Sequence, residues 1–118
     1  MFNKTLVLLI FLFTTALPTL SFSHAKIVKT FPKNNAVLQI SPKKITLTFP
    51  EPVQVTTFKL ENDKGEKLDV EGGKSISPTK QINAKPPTLQ QGTYYVNWRG
   101  LSSDGHPTKG HFNFTITP

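Results

Sequence analysis

An all-β sandwich is the fold this sequence predicts, and three observations predict it. First, apolar and polar residues alternate with period two in several segments. Ile45, Leu47 and Phe49 alternate with Lys44, Thr46 and Thr48; Tyr94, Val96 and Trp98 with Thr93, Tyr95, Asn97 and Arg99; and Phe112, Phe114 and Ile116 with His111, Asn113 and Thr115. Strand geometry puts alternate side chains on opposite faces, so this pattern describes half-buried antiparallel strands rich in β-branched and aromatic residues. Second, turn-forming residues recur at short intervals along the whole chain. Third, the sequence contains 10 prolines, which disfavour long helices, and no segment after residue 23 sustains a 3.6-residue period.

In chain order, a first strand is expected near 26–31, closed by Pro32-Lys33-Asn34-Asn35. Ser41-Pro42 precedes a strand at 44–49, and Pro50-Glu51-Pro52 is read as a turn before the next at 53–61. Asp63-Lys64-Gly65 leads to 67–71, and Gly72-Gly73 separates that strand from 80–84. Pro86-Pro87 and Gln91-Gly92 precede 93–101, and Asp104-Gly105-His106-Pro107 joins it to 110–117. About seven short strands with frequent turns form a single-domain, Ig-like Greek-key β-sandwich. The apolar face of each strand meets the opposite sheet across ~10 Å. Trp98, Tyr94 and Phe114 are the expected aromatic centre.

The first residues follow a different logic. Lys4 precedes an apolar run from Leu6 to Leu17, Pro18 breaks the run, and Ser21-Phe22-Ser23 supplies small residues before a cut. This is the layout of a secretory signal peptide, and the run is short for a membrane span of ~20 residues. The expected division is a leader at 1–23 and one domain at 24–118. Taking 23 residues from 118 leaves 95, enough to bury roughly 60–65% of the unfolded surface. The sequence has no cysteine, so disulfides are excluded, as is a lipid-modified cysteine anchor, and stability must come from packing. No later segment reads as membrane-spanning. The mature protein is expected in the periplasm, or alternatively secreted, as a monomer.

Lys4 leaves with the leader, so the mature chain carries 13 Lys and Arg against 7 Asp and Glu, a net charge of +6. The cations are scattered and all but Arg99 are lysines, which suits a solvated basic surface with mild attraction to anionic headgroups better than a nucleic-acid interface.

Cleavage after Ser23 would make His24 the new N-terminus. A terminal histidine offers its free α-amine and an imidazole nitrogen together, a chelate no internal histidine can form. In the Ser102-Ser103-Asp104-Gly105-His106-Pro107 stretch, Asp104 and His106 are two apart and share a face in extended backbone. Gly105 permits a tight turn, and Pro107 stiffens the exit. The competing reading is an ordinary Asp-Gly turn with an exposed histidine. The only methionine is Met1, so the mature chain has neither thiolate nor thioether and lacks a soft Cu(I) site. Imidazole, carboxylate and amine donors favour Cu(II), Zn(II) or Ni(II), and four such donors in a plane suit tetragonal Cu(II).

Beyond these local signals, four segments stand together: His24-Ala25 leading to Phe31-Pro32; Ile45-Thr46-Leu47-Thr48-Phe49 with Glu51-Pro52-Val53; Gly92 through Arg99; and Ser103-Asp104-Gly105-His106-Pro107 through Gly110 to Phe112-Asn113-Phe114-Thr115. In these segments the sequence resembles the CopC family of periplasmic copper-resistance proteins. The resemblance implies a Greek-key sandwich that binds one Cu(II) per chain without catalysis. By position, His24, Asp104 and His106 match the family's Cu(II) ligands, and Glu51 matches an acidic residue near that site in some members. The bland reading of Glu51 is a solvated acid between prolines. Two features depart from the family: the Met-rich Cu(I) segment of some members is missing, and His111 stands where a small polar residue is expected. His111 is out of phase with Phe112, Phe114 and Ile116 and should face solvent.

The expected function is Cu(II) sequestration, or delivery to an inner-membrane copper transport protein, in copper resistance or homeostasis. Two other classes compete. A terminal histidine with a second histidine on copper is also the core of lytic polysaccharide monooxygenases. A non-metal sandwich could instead act as an adhesin or assembly module through its strand edges. A serine hydrolase using Ser102 or Ser103 with His106 is disfavoured, because residues so close in one loop rarely form a nucleophile–base–orienter geometry.

Overall fold

The computed structural model describes residues 28–118. Eight strands run in the order β1 (Lys29–Phe31), β2 (Ala36–Leu38), β3 (Ile45–Asn62), β4 (Lys67–Leu68), β5 (Glu71–Gly72), β6 (Thr79–Lys85), β7 (Gly92–Ser102) and β8 (Pro107–Ile116), with no helix among the described residues. The expected leader, His24 and the first two residues of the 26–31 strand lie outside that range.

Two expected strands, 44–49 and 53–61, are one. The first part of β3 pairs antiparallel with β1 on one side and β6 on the other, with Leu47 opposite both Thr30 and Ile82. Its second part pairs with β4 and β7, with Leu60 opposite both Leu68 and Val96. Val53 stands at the junction, opposite Thr79 of β6 and Ser102 of β7. One layer is therefore β1, the first part of β3, β6 and β5; the other is β4, the second part of β3, β7, β8 and β2. Pro50-Glu51-Pro52, expected as a turn, is the corner at which β3 passes between layers. Proline suits it: its fixed φ is compatible with extended chain, and its missing N–H is no loss where the ladder shifts register between Thr48 and Val53.

A second irregularity corrects the phase. Ile45, Leu47, Phe49, Val53 and Val55 point inward, and then Phe58 and Leu60. Alternation changes from odd to even because Thr56 is an extra residue between the pairs Val55–Gly100 and Thr57–Arg99, a β-bulge. Strict alternation through that stretch would have sent Phe58 to solvent.

The expected aromatic centre is in place, with Trp98, Tyr94 and Phe114 all buried. Phe49 meets Trp98 edge-on, with ring centroids 5.3 Å apart, and so joins the two layers. Tyr94 and Phe114 are cross-strand partners stacked at 5.7 Å, and the Tyr94 hydroxyl donates to the Gln90 carbonyl at 2.7 Å. Trp98 lies opposite Gly110, where a Cβ would stand 2.6 Å from the indole Nε1. Only glycine leaves that space to the ring.

The remaining differences are at short elements. The expected 67–71 strand is two two-residue pieces, β4 and β5. The sequence reading omits β2, whose three residues pair parallel with the end of β8, Ala36 opposite Phe114. Three residues carry too little alternation to register as a strand.

Gly110→Ala is expected to lower stability by about 1–3 kcal/mol through overpacking against the indole, and to change the emission of Trp98, the single tryptophan. Phe114→Ala, which opens a cavity instead, should cost about 3–5 kcal/mol. Urea unfolding followed by Trp98 fluorescence measures both.

Candidate metal centre

The β7–β8 hairpin ends in the loop Ser103-Asp104-Gly105-His106. The Ser102 N–H donates to the His106 carbonyl at 2.9 Å, and the Gly105 N–H donates to the Ser102 carbonyl at 2.9 Å. Gly105 has φ +84°, the left-handed region that glycine occupies without strain. Within this turn the Asp104 carboxylate uses both oxygens. Oδ1 accepts from the Ser102 hydroxyl and from the His106 backbone N–H at 3.2 Å, while Oδ2 accepts from the His106 Nδ1–H at 2.7 Å. The Ser102 Oγ also lies 3.1 Å from the His106 carbonyl oxygen. The Ser103 hydroxyl donates to the Pro52 carbonyl at 3.2 Å, tying the loop to the corner of β3.

The expectation that Asp104 and His106 approach each other is met, but by a different route. The backbone there is a turn rather than extended, and the residues meet because Asp104 caps the loop around Gly105. The roles of Ser102 and Ser103 went unread in the sequence. The available signal was the Ser-Ser-Asp run at a hairpin end, whose short hydroxyls and carboxylate bond readily to nearby backbone. The same contacts argue against a hydrolase arrangement: the Ser102 hydroxyl faces Asp104 and the Ser103 hydroxyl faces Pro52, so neither forms a nucleophile–base pair with the imidazole.

Electrostatically the pair is open to water, with side-chain exposures of 81% for His106 and 64% for Asp104. The Ser102 hydroxyl first, and His106 second, hold the Asp104 carboxyl well below the usual carboxylate range. At such exposure the ion pair adds little to stability, and its consequence is orientation of the ring.

Glu51 is exposed at the corner of β3. It lines, with Val28, Trp98, Ser102 and His106, a cleft of about 220 Å³. His111 is exposed, as expected, opposite Asn97 on the outward face of β8, away from this cleft. Among the described residues no three His, Asp or Glu side chains converge as a metal cage. Asp104 and His106 are brought together, Glu51 shares their cleft, and His111 does not join them.

Ser102→Ala should raise the Asp104 pKa towards the usual range, read by carboxyl ¹³C NMR. A depressed folded-state pKa means that the carboxylate's contribution to loop order is complete above the usual aspartate range and is lost as pH falls through the folded value. The Ala variant should therefore lose its loop hydrogen bonds at a higher pH than the parent.

The CopC domain model matches residues 27–117. Protein YobA of Escherichia coli K12 is 34% identical over 108 residues, covering 87% of this chain and 87% of that protein. Copper transport protein CutJ of Bacillus subtilis is 31% identical over 113 residues, covering 92% of this chain; the chain spans 21% of CutJ's length. Among solved structures, PcoC, a methionine-rich copper resistance protein from Escherichia coli, superposes with TM-score 0.61 at 29% identity, covering 78% of this chain and 98% of PcoC. With the matching domain extending over nearly all the described residues and the sandwich shared, the chain belongs to the CopC family, whose members include proteins named for copper resistance and copper transport.

Proposed function

We propose that the chain, after removal of residues 1–23, binds one Cu(II) in the periplasm through the α-amine and imidazole of His24, the carboxylate of Asp104 and the imidazole of His106, and either sequesters it or passes it to an inner-membrane copper transport protein. The observation that carries this reading is the Asp104–His106 pair. Two donors ~2.0 Å from one ion and at right angles to each other lie about 2.8 Å apart, and Nδ1 and Oδ2 are separated by 2.7 Å. The pair can thus form one edge of a square when the ion takes the place of the Nδ1 proton between them and the imidazole keeps its proton on Nε2.

Three further observations support the reading. Val28 lines the same cleft as His106, and the four-residue step from there to His24 spans up to ~14 Å, ample to reach the ion. With no cysteine in the chain and Met1 its one methionine, only nitrogen and oxygen donors remain after cleavage, which suits Cu(II) and not Cu(I). The name of PcoC describes a methionine-rich protein; this chain departs from it in that respect, and a second, soft site is not part of the proposal. Glu51, exposed and lining the same cleft, is assigned to the rim, where its charge favours a cation.

Copper competes with protons for these donors. Affinity should therefore fall as pH drops, through protonation of the nitrogen donors, while Asp104, held well below the usual carboxylate range, remains ionised. The test is a Cu(II) competition titration with EPR on protein beginning at His24. One added N-terminal glycine should weaken binding by at least about tenfold, as should His106→Ala; Asp104→Asn should alter the EPR parameters. Equal affinity in the glycine-extended protein would refute the terminal-amine ligand.

A further inference from the structure

We propose that the outward face of β3, β7 and β8 is a docking surface for an acidic segment of a partner protein. The alternation that sends Trp98 and Phe112 inward sends a different set outward, and the register places that set in rows across three strands. Thr57, Arg99 and Lys109 form one row; Lys59, Asn97 and His111 form the next. Arg99 and Lys109 are directly opposite each other, with Lys59 on the adjacent row of β3.

Like charges directly opposite in an antiparallel pair repel and lower stability. Among the described residues nothing relieves them. Among the described residues the one close ion pair is Asp104–His106, so Lys59, Arg99 and Lys109 are without a carboxylate partner. Glu61, opposite Tyr95, is the acid on this face, and it stands at the end away from the hairpin loop. A cross-strand cation pair that costs stability and is left uncompensated is the arrangement expected where the compensating charge comes from outside.

The shape selects the occupant. The face is concave, a trough of about 910 Å³ running over the three strands. A second hollow of about 430 Å³ continues it past Arg99 and Lys109 to Leu101 and Pro107 beside the loop. An extended peptide laid along the trough follows the rows, with carboxylates on the Arg99 fork and the two ammonium groups. Leu101 and Tyr95, 39% and 43% exposed, offer apolar contacts on either side of the cations, the usual composition of a protein interface. Lys109 is three residues from His106, about 10 Å along β8, so a docked partner would lie beside the metal loop without using its side chains.

The test is fluorescence anisotropy of a fluorescein-labelled Glu-rich peptide against the intact chain at low salt, with phosphatidylglycerol–phosphatidylcholine vesicles as the competing surface. The peptide should bind, and Arg99→Glu and Lys109→Glu should each weaken it by about tenfold. Lys80→Glu, an identical charge change on an exposed site of β6 in the other layer, should stay within about twofold. Lys109→Glu should melt at or above the parent's temperature, because it turns a repulsive pair into an attractive one. Equal weakening by Lys80→Glu would reduce the effect to net charge and overturn the proposal. So would vesicle binding without peptide binding, no peptide binding at all, or a lower melting temperature for Lys109→Glu.

Discussion

The corner of β3 is the constraint on which the rest of the sandwich depends. A single strand of 18 residues serves both layers, so the layers are covalently and hydrogen-bond continuous rather than merely stacked. The corner needs residues that can leave the ladder without leaving polar groups unpaired, and the prolines flanking Glu51 provide this because they carry no N–H. It also needs close approach from β7. Gly100 sits where a Cβ would come within 2.6 Å of the Val53 side chain and 2.7 Å of the Gln54 carbonyl. An alanine there would force β7 away from the corner of β3.

The hairpin loop inherits its position from that corner. β7 and β8 pair without a register break from Gly92–Ile116 to Leu101–Pro107, so the loop is held at the end of a rigid ribbon. Ser103 then fastens it sideways to Pro52. Asp104 accepts three hydrogen bonds from its own loop, which fixes the imidazole while leaving both side chains in water. In this loop order comes from many weak hydrogen bonds and a stiff scaffold, and not from burial. An exposed ion must be met by donors already in place, since an open loop would lose conformational entropy on binding.

One alternation therefore sets three properties together. Inward positions of β7 and β8 build the aromatic core, outward positions carry the cations, and the end of the ribbon presents the carboxylate–imidazole pair. The core tolerates little change, because Trp98 occupies space that only Gly110 leaves free. The outer face accepts repulsion between Arg99 and Lys109 because the surrounding core supplies stability that a surface pair cannot remove.

The all-β class, the aromatic centre of Trp98, Tyr94 and Phe114, the hairpin carrying Asp104 and His106, and the outward direction of His111 are all legible in the amino-acid order. Each rests on period-two alternation or on turn chemistry, which are local properties of neighbouring residues. The same local reading misjudged Pro50-Glu51-Pro52, because proline punctuates a turn and a sheet corner alike, and only the partners of β3 on either side distinguish them. The phase change at Thr56 and the parallel pairing of β2 with β8 were likewise invisible, since a bulge and a three-residue strand are defined by the chain opposite. At the site, adjacency along the chain indicated that Asp104 and His106 could meet, and the hydrogen bonds that orient them stay within the Ser102–His106 turn; the anchoring of Ser103 to Pro52 and the shared cleft of Val28, Glu51 and His106 come from the tertiary structure. Ser103 and Pro52 are 51 positions apart, and no local pattern encodes a distance that only the folded layers create.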